Sequence, residues 1–460
     1  MEVDGRRDAV LRALDFLHSS LSRDGYAPLL RLGGQCVSMF FDVFLTEADA
    51  LLCEHARGHG LSLLKVLAQH WQSNAWPQPW SSDQLLEVLA AVRYEPFGFD
   101  MADLLARADD AVTGIDMEHL TVPGHLMPDW RNGQLATSAW FSAAMDAFTL
   151  AYCDGLYPGR FPRPRVGMRE VLSSLRRHVF EAPCQVSASS DYGECHYLAT
   201  HLCYWLSAYS ATLELRDAPW LLGYVKACLG FWLGQAELCA SGQPGEASDG
   251  LVYVDLDGLA ECTDVLRAVQ PSADCTEPSH LAFLAELPPL LARATKVLLA
   301  SQLADGSWPP SVHPKDVRRA EARSSRALGA SSFPHGLAAR MARSISPPSF
   351  ALDSTPDVRL PPPQPLRSRL KRVAVKADVP LEAQPLDQYE ALYDALHPTW
   401  AATMALCERP PAATGGERQQ LALEHTERMR ALVRETRFHT QDVPKYAKRR
   451  LRGGRTPRGS

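Results

Sequence analysis

The stretch that decides the fold ends one apolar helix and turns the chain. It reads Leu298-Leu299-Ala300-Ser301-Gln302-Leu303-Ala304-Asp305-Gly306-Ser307-Trp308-Pro309. The pair Asp305-Gly306 favours a tight turn, because glycine accepts a positive φ at no steric cost. A Gln side chain at a helix end can bond backbone groups that the helix leaves unpaired, while an indole packs over it. The stretch therefore predicts a turn between helices that Gln302 and Trp308 close.

This turn resembles the Q-x-x-x-G-x-W turn that is repeated in terpene cyclases and protein prenyltransferases. Gln302, Gly306 and Trp308 are the matching residues. Both classes fold as α/α toroids, so the resemblance implies stacked antiparallel helix pairs in this chain. A degenerate copy lies near the start, with Ser20 in the place of the Gln and Tyr26 as the aromatic residue, one position early.

The rest of the ordered sequence also has the periodicity of helices. Apolar residues recur at intervals of three and four over 6–21, which predicts an amphipathic helix. The same pattern predicts further helices over 46–70, 82–93, 100–111, 134–152, 167–179, 194–213, 219–240, 255–269, 279–303, 386–407 and 416–436. Alternation typical of strands is rare, and we expect an all-α protein.

Composition divides the chain into one domain and two further segments. Residues 1–310 and 385–440 are expected to form a single helical domain. Residues 311–384 are rich in Pro, Ser and Arg, which predicts a flexible insertion. Residues 441–460 carry a run of Lys and Arg and are expected to be a disordered basic tail.

Charge and cysteine content exclude some classes of protein. The 460 residues carry a net charge of -6, so no general attraction to nucleic acid or anionic lipid is expected. We find no run of 18 apolar residues and no apolar segment after the charged first residues, so we expect neither a transmembrane helix nor a secretory signal. The eleven cysteines include no C-x-x-C pair and are expected to be buried thiols in a cytoplasmic protein.

Four side chains are candidates for chemistry. His201 lies in an apolar and aromatic helix, where a buried structural histidine is the simpler explanation. Asp257 and Glu261 are four residues apart and share one helix face. A position near a helix N-terminus would explain Asp257, but Glu261 is surrounded by apolar residues. His397 precedes Pro398, which fits the first turn of the helix that follows.

Together these residues have the chemistry of a metal centre. Two imidazoles and two carboxylates suit zinc or a non-haem iron. We therefore predict His201, Asp257, Glu261 and His397 as metal ligands. Asp257 and Glu261 are also predicted to be catalytic, because acids that face a cavity can hold a raised pKa for acid catalysis. Each residue taken singly also has a structural explanation.

The order of these motifs resembles a bacterial family, a domain of unknown function often found beside natural-product genes. The matching residues are Thr200 and His201, Asp257 and Glu261, Gln302 with Asp305 and Gly306, and His397 with Thr399. This chain departs from the family pattern at Leu396 and Pro398 and in the insertion 311–384. The resemblance implies a shared fold and site; it names no reaction.

Two functions of different kinds follow. The first is a metal-dependent lyase, transferase or cyclase with a central cavity, acting on an apolar, isoprenoid-like or natural-product substrate. Asp255-Leu256-Asp257-Gly258 matches only half of the D-x-D-D motif of protonating cyclases. The alternative is a non-catalytic helical scaffold that binds a protein or peptide partner. Convergence of the four side chains would favour the enzyme.

Overall fold

A computed structural model describes most of the predicted helical domain. The described residues are 2–73, 102, 106, 121–156, 165–180, 190–206, 213–214, 219–241, 254–270, 278–312 and 386–408. The helices predicted over 82–93 and 416–436, nearly all of that over 100–111, nearly all of the segment 311–384, and the tail 441–460 lie outside these residues.

The described residues form twelve α-helices. These are α1 Glu2–Leu21, α2 Arg23–Leu32, α3 Gln35–Thr46, α4 Ala50–Ser73, α5 Met127–Asn132, α6 Thr137–Leu156, α7 Met168–His178, α8 Ser190–Leu206, α9 Pro219–Ser241, α10 Leu256–Ala268, α11 Pro278–Ser301 and α12 Leu386–Leu406. A 3₁₀ turn, Gly124–Leu126, precedes α5. The predicted all-α class is confirmed for this part of the chain.

Four strands of two residues each accompany the helices. They are β1 Leu213–Glu214, β2 Val254–Asp255, β3 Val269–Gln270 and β4 Ser311–Val312. β1 pairs with β3 in parallel, and β2 pairs with β4 in antiparallel orientation. The pairs β2–β4 and β1–β3 flank α10 at its two ends, so they fix where this helix begins and ends.

Helix α10 is the centre of the packing. Of its thirteen residues, all except Arg267 are buried. It packs against α8, α9, α11 and α12. At its start the carboxylate of Asp255 accepts a hydrogen bond from the backbone N–H of Gly258 at 3.1 Å, which caps the helix. Because nearly the whole helix is buried, all its polar side chains except that of Arg267 lie in the interior, Asp257 and Glu261 among them.

Gly258 lets three helices meet closely at this centre. A Cβ atom on Gly258 would lie 2.4 Å from Cε1 of His196 on α8 and 3.1 Å from Nε1 of Trp232 on α9. The position therefore has no room for a side chain. Since the D-x-D-D motif has an acid there, the half-match in this sequence has a steric reason.

The Gln302 side chain bonds backbone groups, as predicted, but these belong to the turn and to α1 and not to the end of its own helix. Its amide nitrogen donates to the carbonyl of Ala9 at 2.8 Å and to that of Gly306 at 3.0 Å. Gly306 has a φ of 92°, and a Cβ atom there would lie 2.4 Å from the carbonyl oxygen of Arg12. The turn is therefore bonded to α1 as well as to itself.

Trp308 connects the same turn to α11 and α12. Its indole is 1% exposed, and its Nε1 donates to the carbonyl of Leu298 at 2.7 Å. Its backbone N–H donates to the hydroxyl of Thr399 on α12 at 3.0 Å. The residues from 298 to 309 thus hold the first and last described helices against α11.

Two predictions about helices need correction. Helix α12 runs through Pro398 without a break, so Pro398 and His397 lie inside the helix and not in its first turn. Burial of Leu396, Ala401 and Ala402 offsets the missing proline N–H bond, which costs roughly 3 kcal/mol. No helix was predicted for 23–45, where α2 and nearly all of α3 lie, because the apolar run of α3 has no periodicity that distinguishes helix from buried strand. None was predicted for 127–132 either, because the six residues of α5 are too few to show a helical period.

Two other expectations concern the cysteines and the presence of a transmembrane helix. The eight cysteines whose side chains the structure describes are thiols, and seven of them are buried. None of the helices described is both long and apolar enough to cross a bilayer.

Candidate metal centre

Three helices bring His201, Glu261 and His397 together. One ligand atom from each residue lies within 4.8 Å of the other two. Nδ1 of His201 is 3.7 Å from Oε2 of Glu261, and Nε2 of His397 is 3.9 Å from Oε1. The side chains of His201 and His397 are 21% and 16% exposed, whereas that of Glu261 is 2% exposed. The cluster is therefore interior with one side near solvent.

His201 is held by its own helix. Its Nδ1 lies 2.8 Å from the carbonyl oxygen of Tyr197, one turn earlier on α8. Because a carbonyl can only accept, Nδ1 carries the proton and Nε2 carries the lone pair. Burial, helped by the charge of His397, lowers the pKa of His201 to about 4. The ring is thus neutral at pH 7, which is the form that binds a metal.

His397 is held by a carboxylate. Its Nδ1 lies 2.9 Å from each carboxylate oxygen of Asp257 and donates to them. Asp257 is 2% exposed and also accepts a hydrogen bond from the hydroxyl of Tyr197 at 3.2 Å. The bond between Nδ1 of His397 and Asp257 turns Nε2 of His397 towards Glu261. A carboxylate behind a histidine is the usual arrangement around metal-binding imidazoles.

Glu261 is buried between α8 and α12. Its Oε2 accepts a hydrogen bond of 2.5 Å from the hydroxyl of Thr200. The hydroxyl of Tyr204 donates to its backbone carbonyl at 3.4 Å. Its side chain is directed at both histidines. A buried carboxylate is costly unless hydrogen bonds or a cation compensate its charge, so this position is suited to a bound cation.

Of the four predicted ligands, the structure brings three to a common point and places the fourth behind one of them. Asp257 faces Nδ1 of His397, the nitrogen that points away from Glu261. Asp257 is therefore in a position to orient the ring of His397. The sequence pattern identified Asp257 and Glu261 as a pair on one helix face, but the difference in their roles depends on α12, which is far away in the sequence.

Aromatic rings surround the cluster. Around His201, the ring centroids of Phe141, Tyr204 and Trp205 lie at 4.9, 5.8 and 6.2 Å. That of Trp400 lies 6.0 Å from His397. A narrow apolar recess reaches His397. Its lining residues are Leu17, Leu21, Leu32, Cys36, Met39, Leu396, His397 and Trp400.

His196 is a second buried histidine close to this centre, which the sequence analysis did not single out. It is fully buried, with Nε2 3.1 Å from Sγ of Cys262 and Nδ1 accepting from Nε1 of Trp232 at 3.4 Å. Burial lowers its pKa to about 4. Its ring stacks on that of Tyr197, which in turn bonds Asp257. His196 is thus linked, through Tyr197, to the carboxylate that bonds His397.

The separations leave room for a metal ion. Ligand atoms bound at 2.0–2.2 Å around a tetrahedral ion lie roughly 3.3 Å apart. The ligand atoms of His201, Glu261 and His397 lie within 4.8 Å of one another, so the side chains would have to move closer together to hold an ion. His201 would have to bind the ion through Nε2, because Nδ1, the nitrogen that lies 3.7 Å from Oε2 of Glu261, donates to the carbonyl of Tyr197.

Comparison with protein-family models, curated proteins and solved structures found no match.

Proposed function

We propose that the chain is a metal-dependent enzyme whose interior centre binds one zinc or ferrous ion through His201, His397 and Glu261. The observation that carries the proposal is the convergence of these side chains from three helices, with each histidine fixed through its Nδ1. Two imidazoles and one carboxylate are ligands of catalytic zinc and of non-haem iron, which keep positions open for water or substrate. The metal would supply Lewis acidity or a bound water of lowered pKa.

The remaining residues of the centre have positioning roles in this proposal. Asp257 orients His397, and the hydroxyl of Tyr197 orients Asp257. Thr200 holds one oxygen of Glu261, which leaves the other directed at His397. The aromatic rings around His201 exclude water from one side of the centre and so strengthen its electrostatic interactions.

The substrate is proposed to be small and largely apolar, isoprenoid-like or a related natural product, and the reaction that of a lyase, transferase or cyclase. Apolar side chains line the recess that reaches His397, and this supports the substrate class. The packing of α12, the last described helix, against α1 supports a closed α/α toroid. The proposed substrate class and the proposed toroid agree with what the resemblances to terpene cyclases and to the natural-product family imply.

A non-catalytic scaffold is the alternative to the enzyme. A scaffold that binds a protein or peptide has no need for two imidazoles and a carboxylate within 4.8 Å of one another in its interior. Convergence of the predicted side chains thus supports the enzyme. The scaffold is the conclusion to draw if the centre binds no metal.

The test is a pair of isosteric variants on one helix. Glu261→Gln and Asp264→Asn both replace a carboxyl by an amide on α10, at positions 2% and 1% exposed. Purified full-length chain is incubated with zinc or ferrous ion, and metal per chain is measured by elemental analysis. We expect Glu261→Gln to bind one equivalent less than wild type, Asp264→Asn to match wild type, and circular dichroism to be unchanged. Equal metal content in wild type and Glu261→Gln would refute the ligand assignment.

The substrate class is tested separately with the isoprenoid alcohol farnesol. Cys36 lines the recess and is partly exposed, so Cys36→Phe narrows the recess at little cost in packing. Leu51→Phe, at a position 54% exposed, is the control. We expect farnesol to quench tryptophan fluorescence of wild type and Leu51→Phe, because Trp400 lines the recess, and to affect Cys36→Phe less. The same response from all three chains would count against an apolar substrate in this recess.

A further inference from the structure

A second cluster of metal-binding side chains lies on the surface between α1 and α4. His55 and His59 are four residues apart and share one face of α4. Nε2 of His55 lies 2.7 Å from Oδ1 of Asp15 on α1, and Nε2 of His59 lies 3.0 Å from the same oxygen. The ligand atoms of these three residues lie within 4.8 Å of one another. Two helices therefore present three ligand atoms to one point.

A third imidazole adjoins this cluster. His18 lies one turn after Asp15 on α1, and its ring stacks on that of His59 with centroids 4.1 Å apart. Its Nε2 lies 2.9 Å from the hydroxyl oxygen of Ser62 on α4. The ring of His59 also meets the edge of Phe40. These contacts restrict the ring of His59, so one ligand is held in place before any ion binds.

Without a metal ion, both contacts to Asp15 can be hydrogen bonds in only one arrangement of the protons. Asp15 accepts from both rings when His55 and His59 each carry a proton on Nε2. One divalent cation can replace both protons and bind all three atoms. An exposed hydrogen-bonded network of this kind contributes little to stability, so stabilisation is a weak explanation for two imidazoles and a carboxylate that converge on one point.

We propose that Asp15, His55 and His59 form a second metal site, which binds zinc and keeps a position open to solvent. Two imidazoles and a carboxylate are a zinc ligand set, and zinc binds such sites more tightly than Mg²⁺ or Ca²⁺, which prefer oxygen. The ion joins α1 to α4. Since Leu17 and Leu21 of α1 line the recess at His397, this ion fixes one wall of that recess.

The experiment counts zinc ions in full-length chains that lack one site or the other. Asp15→Asn removes the carboxylate at a position whose side chain is 60% exposed, so it leaves the core untouched. Zinc binding is measured by equilibrium dialysis with magnesium in excess. We expect two zinc ions in wild type, one in Asp15→Asn, one in Glu261→Gln and none in the double variant. His70→Gln, on the same helix outside the cluster, is expected to bind two.

The two proposals fail in different ways. Wild type with two ions and Asp15→Asn also with two would overturn the surface site and leave the interior centre intact. Wild type with one ion and Asp15→Asn with none would keep the surface site and overturn the interior centre. A second readout is the midpoint of thermal unfolding of Glu261→Gln. Zinc should raise this midpoint, because the ion joins α1 to α4. The same increase in the double variant would contradict the surface site, as would failure of His59→Gln to lower zinc content.

Discussion

Nδ1 of His397 lies 2.9 Å from both carboxylate oxygens of Asp257, although 140 residues separate the two in the chain. The contact joins α12 to α10 and fixes the proton of His397 on the nitrogen that faces away from Glu261. It also places Asp257 behind the ring of His397, where in the proposed centre it would orient this ring and raise its basicity. In the proposed metal centre, the pair of acids on one helix face thus divides into a ligand, Glu261, and a positioning residue, Asp257.

The first prediction separates these two roles. Asp257→Asn keeps an oxygen that accepts from Nδ1 but removes the charge, so the affinity of the interior centre for zinc should fall roughly 10–100-fold while the site still saturates. Glu261→Gln should lose the site at all zinc concentrations. Zinc titration against a competing chelator gives both quantities. If Asp257→Asn fails to saturate, as Glu261→Gln does, then Asp257 is itself a ligand.

The second prediction concerns pH. Burial outweighs the opposing charge of Asp257 and lowers the pKa of His196 from 6.5 to about 4. Between these values the unfolded chain binds a proton that the folded chain does not, so the free energy of unfolding falls as the pH is lowered. The loss from this fully buried ring is about 3 kcal/mol across the window.

Urea unfolding of wild type and His196→Gln between pH 7 and pH 4 measures this effect. The variant is expected to be less stable at pH 7 but to lose less stability on acidification. His125→Gln, at an exposed position, controls for the removal of one histidine. Parallel pH profiles for wild type and His196→Gln would mean that other groups cause the acid sensitivity.

The third prediction concerns the turn that holds α1 and α11 together. Gly306→Ala places a methyl group at a φ of 92° and 2.4 Å from the carbonyl oxygen of Arg12, so it should destabilise the protein by about 3 kcal/mol or more. Gly25→Ala also lies at positive φ, 65°, but meets nothing within 4 Å and should cost about 1 kcal/mol. Thermal or urea unfolding compares them. Equal losses of stability in the two variants would show that the close approach of residue 306 to Arg12 does not contribute to the cost.

The fourth prediction tests the bond between this turn and α12. Thr399→Val removes the hydroxyl that accepts from the buried N–H of Trp308 and should cost about 1–3 kcal/mol. Thr403, equally buried, bonds the carbonyl of Thr399 within its own helix, so Thr403→Val should cost less than about 1 kcal/mol. Chemical unfolding of both variants gives the comparison. A larger loss for Thr403→Val would contradict the assignment of Thr399 as the connection.

The sequence predicted those features that depend on neighbours along the chain. Helical periodicity predicted nine of the twelve helices wholly or in part, because it needs only residues three and four apart. The Gln302 turn was recognisable because its hydrogen bonds to Gly306 and Leu298 are local. Helices α2, α3 and α5 were missed: an apolar run with a Pro before it is ambiguous between helix and strand, and the six residues of α5 are too few to show a period. His201, Glu261 and His397 were named from residue type and order alone.

The tertiary structure decided which of these residues meet. That α10 is buried all round, and so brings Glu261 to two histidines, depends on the packing of four helices from distant parts of the chain. The position of Asp257 behind His397, the steric need for Gly258, and the cluster of Asp15 with His55 and His59 likewise depend on contacts between helices. Periodicity along one helix shows which face is buried, but it contains no information about the side chain that a neighbouring helix places opposite.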